Sequence, residues 1–480
     1  MKSSSPLFRC LAPIALVAVL GSCGGGGGGS GATGVTPTPT PTPTAGCSLV
    51  ERQRWAEAQL REWYLFPDTL PASLSPAGYS TVQDYVDALT ATARSQNKDR
   101  YFTYLTSIAE ENAFYASGSS AGFAFRIALD SGSRRLFIIE SFENTPALNA
   151  GIDRGTEILA IGTSPATLRN VSDIIASEGS AGLSNALGPS TAGTSRTFRI
   201  ADASGSREVS VTKADYDIAP VSSRYGTKIL DDGGRRVGYV NLRTFISTAD
   251  GGLRSAFAQF RSAGVTDIIV DLRYNGGGLV SIAELFSDLL GGARSTRDVQ
   301  SYTAFRPEKS AENETRLYAP QPQSVAATKI AFIGTGGTAS ASELVINAAI
   351  PYLHTNAALI GTNTYGKPVG QIPLDKAACD DRLRVVAFAT QNSARQGDYY
   401  NGLASKVEAS CAAGDDISYP LGDPREASVR AALDFLAGRS CSRIASGEIT
   451  GLSLRAGESR REMLAVTRPN TTQREVPGTF

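Results

Sequence analysis

The fold is decided by residues 330–371, IAFIGTGGTASASELVINAAIPYLHTNAALIGTNTYGKPVGQ. The apolar beginning, 330–333, predicts a buried strand, and the small residues at 334–338 predict a tight turn. Apolar residues at helical spacing follow until Pro351, which ends the pattern. Ser340 therefore lies on a strand-to-helix turn, where its hydroxyl is exposed and the following backbone N–H groups carry the positive end of the helix dipole. Such a position suits a nucleophile and a developing oxyanion.

A serine nucleophile needs a base, because a free hydroxyl reacts poorly at neutral pH. The chain has one histidine, His354, and the presence of a single histidine does not exclude it as the base. Lys367 is a second candidate, because it follows a tight glycine turn between apolar runs, where burial can lower the pKa of its amine. Gln371 follows four residues later, and its amide oxygen could hold that amine. Both candidate bases are open at this point.

The segments GTASASE and GTNTYGKPVGQ of this stretch resemble the signature of the carboxy-terminal processing, or tail-specific, serine peptidases. The resemblance implies that Ser340 is the nucleophile, that Lys367 is the general base and that Gln371 orients the lysine. With that assignment we interpret His354 as structural. The chain departs from the family pattern at Pro368, which stands where glycine is usual.

A second element of that family, DLRxNxGG, is present as DLRYNGGG at residues 271–278. Family members use a backbone N–H group of this glycine turn, together with the N–H group after the nucleophile, as an oxyanion hole. The corresponding residues in this chain are Gly277 or Gly278, and Ala341. Gly276 stands where the family commonly has proline, so we expect a looser turn.

Composition and charge limit the classes of function. The chain has 480 residues, enough for two to three domains, and 46 Lys and Arg balance 46 Asp and Glu. A net charge of +0 without a basic run argues against a nucleic-acid partner. The chain has one histidine and no closely spaced pair of cysteines, which is a poor set of metal ligands. We therefore expect no metal site and no cofactor.

The first 46 residues predict export and anchoring. Residues 1–22 contain basic residues and a short apolar run, which is typical of a signal peptide and too short to span a bilayer. The sequence LGSC, ending at Cys23, resembles a lipoprotein cleavage box and implies a lipid anchor on that thiol, facing the periplasm or the cell exterior. Residues 23–46, a glycine run and Thr-Pro repeats, predict a tether. An ordinary secretory signal with a disordered leader is the alternative.

Two smaller folded regions are expected before the core. Residues 47–112 predict a small helical N-terminal domain. Short apolar strands over 113–215 resemble a bacterial PDZ domain, which implies that an extended peptide binds as an added strand with Gly122 and Phe123 in the capturing loop. The partners implied are protein or peptide substrates with apolar C-termini. The alternative is a PDZ-shaped spacer that binds nothing.

Residues 216–440 predict the catalytic core. Strands and helices alternate there, so the fold class is α/β with a buried sheet, and sites in such folds lie at the carboxyl ends of strands. The family resemblance implies a ClpP/crotonase-like protease core into which the PDZ-like β domain is inserted. Residues 441–480 are polar, and we assign no structure to this C-terminal tail.

Cysteines predict an oxidising environment. Four remain beyond the signal and lipidation sites: Cys47, Cys379, Cys411 and Cys441. An even number in an exported protein favours two disulfides over a metal site. Of the three possible pairings we prefer Cys379 with Cys411 and Cys47 with Cys441.

The function implied by these features is that of an exported serine endopeptidase, which uses a Ser-Lys pair and cleaves near the C-terminus of its substrate. Two other classes stay open. One is a catalytically idle peptide-binding lipoprotein, and the other is a serine hydrolase of small esters or amides. An activator or adaptor protein is a further expected partner.

Overall fold

The computed structural model of the protein describes residues 45–445 and 461–480. The predicted signal peptide, the lipidation site Cys23 and residues 23–44 of the predicted tether lie outside these ranges. Within them, no helix has the length and apolar character that crossing a membrane requires. The lipid anchor therefore stays a prediction from sequence.

A helical region starts the described chain, as predicted. Its first helix begins with a capping box, in which the Ser48 hydroxyl and the Glu51 carboxylate each accept a backbone N–H group at the helix start. The elements of this region are α1 (Leu49–Trp63), α2 (Val82–Leu89), α3 (Ala91–Ser95), β1 (Tyr104–Ser107) and α4 (Ile108–Ser117).

An antiparallel domain, called here the inserted β domain, comes next. Its elements are β2 (Ser119–Gly122), β3 (Phe125–Asp130), β4 (Arg135–Ser141), α5 (Pro146–Asn149), β5 (Glu157–Gly162), β6 (Arg169–Asn170), α6 (Val171–Leu187), β7 (Ser195–Asp202), β8 (Gly205–Thr212) and β9 (Ala214–Asp217). Strands β3, β4, β5, β7 and β8 follow one another in one sheet, β6 pairs with β5, and β2 pairs with β9. Helix α6 is kinked at Gly179, where φ is 65°.

The core region follows the inserted β domain. Its elements are β10 (Thr227–Asp232), β11 (Arg235–Asn241), α7 (Ala249–Ser262), β12 (Asp267–Asp271), α8 (Val280–Leu290), β13 (Val299–Phe305), β14 (Glu314–Leu317), β15 (Lys329–Gly334), α9 (Ala341–Leu353), β16 (Ala357–Gly361), β17 (Val369–Lys376), β18 (Asp381–Gln391), β19 (Ala409–Ala412) and α10 (Ala427–Leu436).

A six-stranded sheet forms the centre of the core, in the order β10-β11-β12-β15-β16-β19. Its strands run parallel except for the β10–β11 hairpin. Apolar side chains of α7, α8 and α9 cover one face, and those of α10 cover the other. Coverage on both faces explains why the central strands β12, β15 and β16 contain continuous apolar runs. The predicted α/β class is confirmed.

A second sheet connects the core to the helical region. Strand β18 pairs with β1, β13 and β17, and β13 pairs with β14. Val369 of β17 and Leu383 of β18 share one apolar cluster with Leu60 of α1 and Tyr85 of α2. The helical region therefore packs directly on the hairpin that carries Gln371.

Parallel pairing brings the two predicted catalytic turns to one edge of the central sheet. Strands β12 and β15 are neighbours, with Asp271 opposite Ile333 at their carboxyl ends. The glycine turn follows β12, and Ser340 follows β15. The expected location at the carboxyl ends of strands is confirmed.

Residues 461–480, for which the sequence predicted no structure, pack on the inserted β domain. They contain β20 (Arg461–Met463), which pairs antiparallel with β3, and α11 (Thr471–Glu475). Although the segment is polar overall, three of its apolar side chains, Leu464, Val476 and Phe480, are buried. This segment is called here the C-terminal segment.

The predicted disulfide pairing is wrong. The bonds join Cys47 to Cys379 and Cys411 to Cys441. Cys379 lies in the turn between β17 and β18, where the hairpin meets the start of the helical region, whereas Cys411 lies in β19 of the central sheet. Each cysteine therefore pairs with the one that packing brings near it, and chain spacing does not reveal this.

Digestion of the unreduced protein is expected to give linked peptides for Cys47–Cys379 and Cys411–Cys441 in a mass spectrum. Cys47→Ser/Cys379→Ser should lower the thermal midpoint, because that bond closes a loop of 332 residues and such bonds typically contribute about 2–4 kcal/mol. The matched Cys411→Ser/Cys441→Ser variant opens a separation of only 30 residues and should lose less. A Cys379–Cys411 peptide would contradict the structure.

Candidate active site

Ser340 lies where β15 passes into α9. It has φ 57° and ψ −115°, a conformation that is strained for a residue with a Cβ atom. Two hydrogen bonds fix the turn before it: the Thr338 hydroxyl donates to the Leu272 carbonyl at 2.9 Å, and the Ala339 N–H donates to the Asn275 carbonyl at 3.0 Å. The turn thus presents Ser340 at the start of the helix with its side chain partly exposed.

The glycine turn after β12 lies directly against Ser340. Gly277 and Gly278 have φ values of 124° and 131°. A Cβ atom on Gly277 would stand 2.8 Å from the Ser340 Cβ and 3.3 Å from the Ala341 nitrogen, so glycine is required there. The Ala341 N–H belongs to the first turn of α9, where backbone donors have no intrahelical acceptor. The structure therefore brings together the predicted nucleophile and the predicted oxyanion donors.

The N–H group of Gly277 is engaged within the turn. It donates to Asn275 Oδ1 at 3.0 Å, and Asn275 Nδ2 donates to the Leu242 carbonyl at 2.8 Å. Because Asn275 is fully buried, this amide is held in place. An oxyanion would either take the Gly277 N–H from Asn275 or use the N–H of Gly278, so the choice between the two glycines stays open.

Lys367 is held by the hairpin that follows it. Its Nζ donates to Gln371 Oε1 at 2.8 Å, and Gln371 Nε2 donates to the carbonyl of Phe102 in the helical region. Because the amide nitrogen is committed to Phe102, the amide oxygen faces the lysine. The two residues therefore lie together as predicted, while their catalytic roles stay predictions.

Burial lowers the pKa of Lys367 below its ordinary value of 10.5. Nearby charges modify this pKa: Glu475 and Asp99 raise it, and Arg474 and Arg384 lower it. Only the neutral amine can accept a proton, and this form is therefore populated at a lower pH than on a surface lysine. In residues 45–445 and 461–480 no hydrogen bond joins Lys367 Nζ to the serine hydroxyl, as is common before substrate tightens catalytic contacts.

Glu343 joins the serine turn to the lysine loop. Its fully buried carboxylate accepts the N–H groups of Ser340 at 3.1 Å, Gly366 at 2.7 Å and Lys367 at 2.7 Å, and the Thr364 hydroxyl at 2.6 Å. Burial raises the pKa of Glu343, and the donors oppose that rise by favouring the carboxylate. No role was predicted for Glu343, although its place three residues after Ser340, the residue that caps α9, is a capping-box signal.

Arg100 supports the same loop from the helical region. Its Nη2 donates to the carbonyls of Tyr365 at 2.7 Å and Gly366 at 2.6 Å, and the guanidinium lies 4.3 Å from the centre of the Tyr365 ring. The loop before Lys367 is thus held from two sides, by Glu343 and by Arg100. Nothing in the sequence indicated this contact.

His354 and Ser342 make different contacts. His354 ends α9, a helix of 13 residues that begins after Ser340, so the two are about 20 Å apart. His354 is exposed and its Nδ1 lies 2.8 Å from Glu408 Oε1. Ser342 is fully buried, and its hydroxyl donates to the Asn275 carbonyl at 3.1 Å. In the part of the chain that the structure describes, no group of three or more His, Cys, Asp or Glu is arranged for a metal ion.

The predicted peptide-binding residues Gly122 and Phe123 lie just before β3. The Phe123 ring is buried in the domain core, 5.3 Å from that of Phe125 between ring centres. The N–H of Ala124 donates to the main-chain oxygen of Phe480 at 3.1 Å, and a Cβ on Gly122 would stand 2.9 Å from the carbonyl carbon of Phe480. The loop therefore contacts the C-terminal segment of the same chain.

Two protein-family models match the chain. Residues 236–396 match Peptidase family S41, and residues 51–104 match the Peptidase S41 N-terminal domain. The first range contains the glycine turn, Ser340, Lys367 and Gln371, and the second covers helices α1 to α3. Both regions are therefore similar to proteins of family S41.

Curated C-terminal processing peptidases are similar to this chain at low identity. The chain is 26% identical over 280 residues to the chloroplastic C-terminal processing peptidase of Tetradesmus obliquus, which covers 54% of each chain. It is 25% identical over 272 residues to the carboxy-terminal processing protease CtpA of Bacillus subtilis (strain 168), covering 56% of this chain and 52% of that one. The chain spans about half the length of the curated relatives it matches.

A solved structure shares the fold. A protein of Bacteroides fragilis NCTC 9343 assigned to the S41 proteases matches with a TM-score of 0.62 and 22% identity, covering 80% of this chain and 97% of that chain. At this identity the similarity shows a common fold and does not bear on the reaction.

Glu343→Gln is expected to slow the labelling of Ser340 by a fluorophosphonate reagent by at least about tenfold. The glutamine nitrogen would face a backbone N–H donor and could not accept its hydrogen bond, so the loop of Lys367 would no longer be held. The rate is measured by mass spectrometry of the labelled protein. Glu408→Gln, which changes the exposed partner of His354, is the matched control and should label at the rate of the unchanged chain. Equal rates in both variants would contradict the linking role of Glu343.

Proposed function

We propose, from the S41 assignment of residues 51–104 and 236–396, that the protein is a serine endopeptidase that cleaves exported proteins or peptides near their C-termini. One observation carries the proposal: a single buried carboxylate, Glu343, holds both the turn of Ser340 and the loop of Lys367. Such a link keeps a nucleophile and a base in a fixed relation, which acyl transfer requires.

The proposed reaction is acyl transfer through Ser340. Neutral Lys367 takes the hydroxyl proton as Ser340 Oγ attacks the carbonyl carbon of the scissile bond, and the N–H groups of Ala341 and the glycine turn stabilise the oxyanion. Lys367 then protonates the departing amine as the C–N bond breaks. Water next gives a proton to Lys367 and attacks the acyl carbon, and Ser340 leaves with that proton as the new C-terminal carboxylate forms.

The inserted β domain is proposed to take the C-terminal residues of the substrate as an added strand, in the manner of a PDZ domain. One edge of β3 pairs with β4, and the other pairs with parts of the C-terminal segment. Phe480 is buried where it meets Gly122, which supports a preference for apolar residues at this position. This contact supports the proposal that the substrates have apolar C-termini.

The proposed place of action is outside the cytoplasm. Two disulfides support this, because such bonds persist in oxidising compartments. A signal peptide and a lipid on Cys23 would hold the enzyme on a membrane, facing the periplasm or the cell exterior.

Cleavage of an unfolded test protein at saturating concentration is expected for the unchanged chain, with faster cleavage when the test protein ends in apolar residues than in charged ones. Ser340→Ala and Lys367→Ala should each lower the rate by about 10³-fold or more, because each removes a group that acts on the reacting atoms. Ser342→Ala is the matched control and should keep most of the rate, since that hydroxyl donates to Asn275 inside the protein. Circular dichroism checks that each variant is folded.

Two outcomes would contradict the proposal. Undiminished cleavage by folded Ser340→Ala would exclude this nucleophile. Binding of the test protein without cleavage by the unchanged chain would favour an idle peptide-binding protein over a peptidase.

The cleavage rate is expected to rise with pH and to level off, with an inflection below 10.5, as Lys367 loses its proton. Burial sets the direction of this shift, Glu475 and Asp99 oppose it, and Arg474 and Arg384 support it. Lys367→Arg should be inactive at every pH, because a guanidinium stays charged. A profile that requires a protonated group with this inflection would contradict a lysine base.

A further inference from the structure

The C-terminal segment occupies the edge of β3 that the inserted β domain leaves unpaired. Strand β20 pairs antiparallel with the second half of β3, where Met463 lies opposite Ala128. After α11 the chain returns and pairs with the first half of β3, where Thr479 lies opposite Arg126. Two parts of one segment therefore cover the whole edge, which would otherwise expose unpaired backbone groups.

The contacts at the first half of β3 are those of a bound peptide. Ile127 N–H donates to the Gly478 carbonyl at 2.8 Å, and Phe480 N–H donates to the Phe125 carbonyl at 3.1 Å. The Phe480 side chain is 4% exposed and joins the domain core. Gly122 lets the Phe480 backbone approach, since a Cβ there would clash. This edge binds an extended backbone, and the pocket beside it binds a large apolar side chain.

Helix α11 of the same segment lies on the glycine turn of the catalytic site. The Gly276 N–H donates to the Glu475 carbonyl at 3.0 Å, and the Tyr115 hydroxyl donates to Glu475 Oε1 at 3.0 Å. A Cβ atom on Gly276 would stand 2.2 Å from the Arg474 carbonyl oxygen. A proline at position 276 would lack this N–H group and would clash with α11. Glycine in place of the proline common in the family therefore allows α11 to lie against the turn.

The charge of α11 also reaches the proposed base. Glu475 is buried, and its carboxylate favours the protonated form of Lys367. Asp99 acts in the same direction, whereas Arg474 and Arg384 act against it. Of the two charged residues that α11 contributes, Glu475 has the larger effect on the pKa of Lys367. The charges of α11 therefore favour the protonated form of the Lys367 amine, against the effect of burial.

We propose that the C-terminal segment is an autoinhibitory ligand of its own chain, which a peptide ending in a large apolar residue must displace from β3. Residues 478–480 fill the peptide edge while α11 covers the glycine turn, so one displacement would open both. The consequence for catalysis rests on the proposed peptidase function, whereas the binding does not. The sequence at 478–480, Gly-Thr-Phe, indicates the ligand class: an extended peptide with an aromatic or large aliphatic residue beside Gly122.

A binding experiment tests this independently of catalysis. The probe is the fluorescein-labelled peptide TTQREVPGTF, residues 471–480, and the proteins are Ser340→Ala chains that cannot cleave it. Adding Phe480→Asp should expel the segment and tighten probe binding by at least about tenfold, because the probe no longer competes with a tethered copy at high effective concentration. Adding Thr467→Asp, which places the same charge at an exposed position of the segment, should leave the affinity unchanged.

Equal probe affinity in all three chains would overturn the proposal. Thermal unfolding checks that Phe480→Asp is folded, and Phe480→Ala is a milder variant that should change the affinity in the same direction. Light scattering is expected to show monomers; a dimer whose probe affinity depends on protein concentration would show that a second copy supplies the segment and would overturn intramolecular binding.

Measurements of the cleavage rate distinguish a failure of the autoinhibition proposal from a failure of the proposed peptidase function. With Ser340 present, Phe480→Asp and Gly276→Pro should each raise the cleavage rate at low substrate by about tenfold, since they release the segment from opposite sides. Glu475→Gln should move the inflection of the pH profile downward, because it removes the carboxylate that favours protonated Lys367. Cleavage that is equal in all variants would overturn autoinhibition and leave the peptidase intact, whereas absent cleavage with tighter probe binding would overturn only the peptidase.

Discussion

A buried carboxylate surrounded by four donors, that of Glu343, holds together two loops that leave different strands of the central sheet. An unsatisfied buried donor costs about 1–3 kcal/mol, so these contacts resist separation of the loops. The strained backbone of Ser340 persists because its N–H is fixed there, and the backbone of Lys367 is fixed by the same group. The site is thus a rigid frame around Ser340 and Lys367, in which Gln371 holds the lysine amine.

The position of Lys367 depends on the helical region as much as on the core. Gln371 faces Lys367 because its amide nitrogen is bonded to Phe102, and Arg100 holds the carbonyls just before the lysine. The Cys47–Cys379 bond attaches the start of that region to the far end of the same hairpin. Movement of the helical region would therefore change the position and the surroundings of the amine. This coupling gives a physical reason for the helical region to accompany the core in one chain.

The edge of β3 that faces away from β4 presents a different situation, because the strands of the inserted β domain leave it unpaired. Unpaired strand edges invite association with other chains, and proteins commonly cover them. Here the cover is a segment of the same chain, and its helix reaches the glycine turn through Gly276. One segment thereby contacts both the edge of β3 and the glycine turn after β12.

The sequence by itself determined the local features: the strand-turn-helix that exposes Ser340, the spacing of Lys367 and Gln371, the capped first helix and the α/β alternation. These follow from periodicity, capping and turn chemistry, which act between residues close in the chain. Only the tertiary structure decided the pairing of the cysteines, the linking role of Glu343, the engagement of the Gly277 N–H by Asn275 and the place of residues 461–480. Each of these depends on which distant segments meet. The C-terminal segment is polar overall, so its composition did not reveal that a few apolar side chains anchor it to the rest of the protein. Packing between elements far apart in the chain leaves little trace in a single sequence, because many residues could satisfy it equally well.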